Sequence, residues 1–193
     1  ISRDYEDELI KNHHSITEGL AVELYLDSDS EKKVLEFRDK IYAAGIKPVQ
    51  GSMKDKPHVS LAVFPIKDSA QLIAITRDLA QTIQRFEFRL SALGTFPTMD
   101  NVLFLYPSPS VELLHVHAAF HKLIQRAGLK SSPYYYPGVW VPHLTLELEI
   151  SSDEMCQSMH VFKDAFTPID GLFTQLGVVG FRPIEYLDQF DLQ

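Results

Sequence analysis

The chain contains one cysteine, Cys156, among 193 residues. A lone thiol closes no internal disulfide and excludes a structural zinc site built from several thiolates. Apolar runs are short as well, and none approaches the roughly 18 residues that a membrane span needs. Positive charge is scarce: 18 Lys and Arg stand against 26 Asp and Glu, a net charge of −8. A protein of that sign repels a long phosphate backbone, so an extended nucleic acid duplex is not an expected partner. A small nucleotide or an RNA end fits better. The first residues, Ile1-Ser2-Arg3-Asp4-Tyr5, lack a methionine, so the native N-terminus is expected to lie upstream. The cysteine usage and the missing span are compatible with a cytoplasmic location.

Hydrophobic residues make up 45% of the chain, ample for one sizeable core. Residues 1–15, with His13-His14 and the acidic stretch Asp4 to Glu8, show no period and read as a flexible arm ahead of a single domain over 16–193. Leu20, Val22, Leu24 and Leu26 alternate as a strand, and Asp27-Ser28-Asp29-Ser30 follows as a turn and helix cap. Val34, Phe37, Ile41 and Ala44 form a helical stripe over about 30–44, which Gly45 is placed to end. A strand over about 57–64, a helix over about 68–84 and strands over about 86–94 and 102–106 come next. A second helix–glycine pair then appears, with Leu113, Val116, Phe120, Ile124 and Ala127 ahead of Gly128. The end of the chain predicts a helix over about 152–165 and strands over about 171–179 and 184–191.

Two short phrases stand out from this pattern. Pro57-His58-Val59-Ser60-Leu61 and Pro142-His143-Leu144-Thr145-Leu146 repeat one another 85 residues apart. Ile41-Tyr42-Ala43-Ala44-Gly45-Ile46-Lys47 is likewise echoed by Ile124-Gln125-Arg126-Ala127-Gly128-Leu129-Lys130, and Phe96-Pro97 by Phe181-Arg182-Pro183. The helix-ending glycine precedes the motif histidine by 13 residues in one copy and 15 in the other. A duplicated β-α-β-α-β unit, with repeats over about 18–100 and 101–192, accounts for these echoes. In a strand of period two, His58 shares a face with Ser60 and His143 with Thr145, while Val59, Leu61, Leu144 and Leu146 turn inward. Approximate two-fold symmetry would bring the two motif strands face to face. The expected class is therefore α+β, an internally duplicated bilobal fold with two antiparallel-rich sheets facing a central cleft and helices outside. Such a site needs no second chain, so a monomer is expected.

His58-Val59-Ser60 and His143-Leu144-Thr145, carried by matched strands of a repeat, resemble the paired His-x-Ser/Thr motifs of the 2H phosphoesterase superfamily. The resemblance covers residues from about 18 to 192. It implies a bilobal sheet structure, no metal or other cofactor, and chemistry on 2′,3′-cyclic phosphates, 2′-5′ phosphodiesters or related cyclic nucleotides. One position departs from the pattern. In the bacterial 2′-5′ RNA ligase branch a basic residue commonly follows the second motif, whereas this chain continues Glu147-Leu148-Glu149. By strand parity Glu147 shares the face of His143 and Thr145, so a carboxylate is expected at the cleft. That favours a small or singly charged phosphodiester over a multiply charged RNA end.

Hydrolysis of a cyclic phosphodiester requires a base for water, an acid for the departing ribose oxygen and donors for the non-bridging oxygens. His58, His143, Ser60 and Thr145 supply all four and are the expected catalytic residues. His143 is assigned as base and His58 as acid, with symmetry leaving the exchange open. Phe64, on the parity of His58, and Tyr135, Tyr136 and Trp140, in a Pro- and Gly-bounded loop, are the candidate substrate-binding residues, able to stack on a base. His115, His117 and His121 suggest a metal site because 117 and 121 are four apart on a predicted helix. The apolar stripe beside Val116 and Phe120 and the lack of a nearby carboxylate argue against it. Lys32-Lys33, Lys54 and Lys56 read as solvated surface. Three functions are thus open: a cyclic phosphodiesterase, a 2′-5′ phosphodiesterase or 2′-5′ RNA ligase using the same site, and a nucleotide-binding module without turnover.

Overall fold

The alternation Leu20, Val22, Leu24, Leu26 builds strand β1, Gly19–Leu26, and every residue of it is buried. Both edges of β1 are paired, one with β2, His58–Phe64, and the other with β6, Ile169–Phe181. The structure is a computed structural model and describes residues 18–47, 55–65, 68–96 and 101–193. The expected arm over 1–15, Lys54 and Pro97 lie outside the described residues.

The remaining elements follow the predicted order. Helix α1 is Ser28–Ala43, α2 is Ala70–Ala80, β3 is Phe86–Thr95, β4 is Leu103–Pro107 and α3 is Val111–Arg126. A 3-10 turn at Pro133–Tyr135 then leads to β5, Leu144–Glu147, and α4, Ser152–Ala165, β6 and β7, Glu185–Asp191, complete the chain. Gly45 and Gly128 take φ of 104° and 74° just beyond α1 and α3, a left-handed conformation that glycine adopts without a Cβ penalty. Asp27 caps α1: its Oδ1 accepts from the backbone N–H of Asp29 and Ser30. Its other oxygen accepts from Leu172 N at 2.6 Å and so ties the helix start to β6.

All seven strands join one antiparallel sheet, in the order β2-β1-β6-β3-β4-β5 with β7 also on β6. The α+β class is as expected, but pairing is continuous where two sheets were anticipated. The 13-residue β6 makes the join, pairing β3 from Ile169 to Phe173 and β1 from Phe173 to Phe181. The core runs along this sheet and gathers Val22, Leu24, Val59, Leu61, Leu105, Leu144, Phe173 and Leu176 with Val34, Phe37 and Ile41 of α1, Leu72 and Leu79 of α2, and Val116, Phe120 and Ile124 of α3. Each fully buried side chain of this kind contributes about 1.5–3 kcal/mol relative to exposure. Among the described residues no helix is long and apolar enough to cross a membrane.

The two ends of the strand path, β2 and β5, lie against one another. The segment before β5 also closes on β2: Ser132 N–H donates to Val63 O at 2.7 Å, and Trp140 Nε1–H to Ser60 O at 3.1 Å. Replacing Asp27 by Ala removes both the helix cap and the tether to β6. Stability should fall by about 1–2 kcal/mol, read as a lower urea midpoint with an unchanged slope.

Candidate active site

On β2 the cross-strand register sets the neighbours of the first motif, since Tyr25 lies opposite His58 and Glu23 opposite Ser60. Directly opposed residues share a sheet face. On β5, Phe104 lies opposite Thr145 in the same way. Each motif strand is disturbed by a bulge directly after its hydroxyl residue. Glu23 pairs with Ser60 but Val22 with Ala62, and Phe104 pairs with Thr145 but Leu103 with Glu147, so one residue is inserted in each strand. An inserted residue reverses the alternation beyond it.

Two expectations are corrected by that reversal. Phe64 does not line a cleft: it is fully buried in the core, its ring edge-on to Phe120 at 6.4 Å. Glu147 does not border the histidine face either. It is 1% exposed, placed opposite core residue Leu103, and accepts a hydrogen bond from the Tyr42 hydroxyl of α1 at 2.7 Å.

The carboxylates near the histidines come instead from Glu23 and Asp55. Glu23 Oε1 lies 3.4 Å from His58 Nε2, and Asp55 Oδ2 lies 3.7 Å from His58 Nδ1. Glu23 is 4% exposed and accepts from the Tyr25 hydroxyl at 2.8 Å. Tyr186 of β7 holds the approach to the motif, accepting from Lys56 N–H at 2.9 Å and donating to Asp55 Oδ1 at 3.2 Å. Lys56 is exposed, as expected, and its ammonium lies over the Tyr25 and Tyr186 rings at 5.6 and 5.2 Å.

Both imidazoles are anchored alike. His58 Nδ1 meets the carbonyl of Lys56 at 2.8 Å, and His143 Nδ1 meets the carbonyl of Val141 at 2.8 Å. A carbonyl only accepts, so Nδ1 carries the proton in each ring and Nε2 is the nitrogen left for chemistry. The surroundings then diverge. Burial disfavours the charged form of His58, but the Glu23 and Asp55 carboxylates outweigh it and raise its pKa above 6.5. His143 packs edge-on to Phe96 at 4.9 Å and against Phe104 at 5.4 Å. Its pKa is lowered, mainly by burial and further by the charge of His58, which reaches it across the adjoining strands. Burial raises Glu23 above the usual carboxylate range, and attraction to His58 opposes that rise.

The loop aromatics hold the second motif onto the first. The Tyr135 hydroxyl is hydrogen-bonded to the Ser60 side chain, and burial, with the Glu23 charge adding to it, pushes its pKa up to about 12. Trp140 stacks on His117 with ring centres 3.9 Å apart, and Tyr136 meets His121 edge-on at 6.3 Å. His117 Nε2–H donates to Tyr135 O at 2.9 Å and His121 Nε2–H to Leu61 O at 3.2 Å. His115 is exposed on the other side of α3. Burial, reinforced by His121, pushes His117 down to about 4, and burial lowers His121. This histidine pair is therefore a neutral clamp under the loop. Among the described residues one set of mixed donors converges within 4.8 Å: Glu23, Asp55 and His58. With Nδ1 of His58 on a carbonyl and Glu23 on Tyr25, the set reads as an ion-pair cluster.

Residues 26–182 match the 2′-5′ RNA ligase superfamily. The chain belongs to that superfamily of 2H phosphoesterases. A candidate phosphoesterase of Bacillus licheniformis is 23% identical over 101 residues, which cover 51% of this chain and 56% of that protein. The fold is similar to that of Escherichia coli LigT solved with 3′-AMP, at a TM-score of 0.62 and 18% identity over 91% of this chain and 98% of LigT. It is also similar to the TT0787 protein of Thermus thermophilus, at a TM-score of 0.62 and 16% identity over 90% and 97% of the two chains.

Gly94 of β3 lies beneath Phe104, where an added Cβ would stand 2.7 Å from the ring. Gly94→Ala should therefore displace Phe104. In histidine NMR spectra the ring signals of His143 should move while those of His58 stay in place. Movement of both sets, or of neither, would contradict this packing.

Proposed function

We propose that the protein is a metal-independent phosphodiesterase that opens a 2′,3′-cyclic phosphate or a related ribose cyclic phosphodiester, using one site shared by the two lobes of a single domain. The observation that carries this reading is the pair of imidazoles, anchored identically through Nδ1 at the starts of adjoining strands, one beside two carboxylates and the other between two phenyl rings. The superfamily membership supports it. That LigT was solved with 3′-AMP favours a nucleotide phosphate as the ligand class. The shared bulges and matching histidine anchors favour an internal repeat.

In the proposed step neutral His143 takes a proton from water through Nε2. The water oxygen bonds to phosphorus, the bond from phosphorus to one ribose oxygen breaks, and His58 delivers its Nε2 proton to that oxygen. One water is consumed and a phosphomonoester is formed, after which proton exchange with solvent resets both rings. Ser60 and Thr145 donate to the non-bridging oxygens, Ser60 exchanging its hydrogen bond with Tyr135 for one to the phosphate. A 2′-5′ phosphodiesterase or 2′-5′ RNA ligase would use the same groups, and the superfamily's description favours keeping that second reading. A pure binding module has no use for two opposed proton-transfer groups.

The sign of the pH dependence follows from the shifts. A lowered His143 keeps its base form to more acidic pH, and a raised His58 keeps its proton to more alkaline pH. The profile of kcat/KM should be a bell with one limb below and one above 6.5, the ordinary value of both groups. His58→Ala and His143→Ala should each cost about 10²- to 10⁴-fold on a cyclic mononucleotide. On an activated aryl phosphodiester, whose leaving group needs no acid, only His58→Ala should recover. Full turnover by either variant, or loss of turnover in EDTA, would refute the proposal. Cleavage of a 2′-5′ dinucleotide without action on cyclic mononucleotides would select the second reading.

A further inference from the structure

We propose that Glu23 is a positioning residue that makes the two histidines unequal: its buried carboxylate holds His58 as the proton-bearing member of the pair, while His143, walled by aromatic rings, is left as the neutral one. This assignment rests on the acid–base reading above. Its physical basis is a comparison of equivalent strand positions. Glu23 stands opposite Ser60, and Phe104 stands opposite Thr145, so the same cross-strand place holds a carboxylate in one half and a phenyl ring in the other. A carboxylate 3.4 Å from Nε2 stabilises an imidazolium; a phenyl ring with its centre 5.4 Å from the other imidazole offers no counter-charge.

The geometry suits an electrostatic role. At 3.4 Å the Glu23–His58 contact is an ion-pair distance, longer than a short charge-assisted hydrogen bond, so the Nε2 proton is held without being committed to Glu23. The Tyr25 hydroxyl donates to the other carboxylate oxygen and keeps it in place. Among the described residues, further charged and titratable groups surround His58. Asp55 adds negative charge from its own approach segment, while Tyr186 of β7 bonds Asp55 and the Lys56 backbone. The Lys56 ammonium is held over the Tyr25 and Tyr186 rings, Tyr135 lies within the field of Glu23, and the charge of His58 is felt at His143 just before β5. Among these Glu23 is the buried acid, where charge is least screened.

The test is a histidine NMR titration of the whole chain together with the pH profile of turnover. Glu23→Gln keeps an acceptor for Tyr25 and removes the charge. Its His58 ionisation constant should shift at least tenfold, a fall of one pKa unit, with His143 moving far less. The alkaline limb of kcat/KM should fall by the same amount while the acidic limb holds. Glu23→Asp, which withdraws the charge by one methylene, should give a smaller fall in the same direction and serves if the Gln variant does not fold. An unchanged His58 titration in either folded variant would overturn the proposal. Because the titration needs no substrate, a normal His58 shift in a protein inactive on every phosphodiester would instead count against the enzymatic reading alone.

Discussion

Because β6 pairs β3 with its first residues and β1 with its later ones, the strand path continues until its two ends, β2 and β5, lie side by side. His58 opens β2 and His143 immediately precedes β5, and neither strand alone could set the field that the other experiences. Fixed strands suit this task, since proton transfer is sensitive to small displacements and a sheet holds its backbone by repeated hydrogen bonds. Glycines in the neighbouring strands make room for the walls. A Cβ on Gly177 of β6 would stand 2.4 Å from the Tyr25 ring, as one on Gly94 of β3 would crowd Phe104. Each histidine is thus flanked by an aromatic that lies across a glycine.

Identical anchoring and unlike neighbours divide the task between backbone and side chain. The carbonyl two residues before each histidine fixes the ring's tautomer and aim in the same way. Proton affinity is then set separately, by Glu23 and Asp55 at one ring and by Phe96 and Phe104 at the other. Two imidazoles in equal surroundings would share a single proton evenly, so that about half of the singly protonated molecules would carry it on the wrong ring. Splitting the affinities widens the range in which one ring is charged and its partner neutral.

The element order and the motif residues were legible because they depend on local periodicity: the alternation of Leu20 to Leu26, the stripe from Val34 to Ile41 and the glycines at 45 and 128 each act within a few residues. His58, Ser60, His143 and Thr145 were legible for the same reason, reinforced by repetition. Parity failed at Phe64 and Glu147, and it failed identically, because an inserted residue after each motif reverses the faces without leaving a mark in the letters. Glu23 and Phe104 were hidden for another reason. They meet the motifs only through cross-strand register, which no single segment encodes, although an acid inside a strand otherwise apolar apart from Tyr25 is a signal that could have found Glu23. Trp140 and Tyr136, read as surfaces for a base, have histidine rings of α3 as packing partners, a contact between distant elements that a loop's composition does not reveal.

Charge gives the last constraint on what such a site can process. Acidity around His58 attracts no anion by itself, and Lys56, a lysine beside it among the described residues, lies over two tyrosine rings. A cyclic phosphodiester carries one negative charge, whereas the monoester formed from it carries about −1.5 to −2 near neutral pH. Coulomb repulsion from Glu23 and Asp55 grows in proportion to that charge, so it opposes the product more than the substrate. For the proposed reaction the same carboxylates that keep His58 protonated therefore also favour release of what it has made. A cleft lined with lysine or arginine would bind both species more tightly and would hold the dianion longest. Under the proposed function the acidic surroundings would suit hydrolysis of a singly charged ester better than gripping a multiply charged RNA end, a preference that would rest on Glu23 and Asp55 where the sequence had pointed to Glu147.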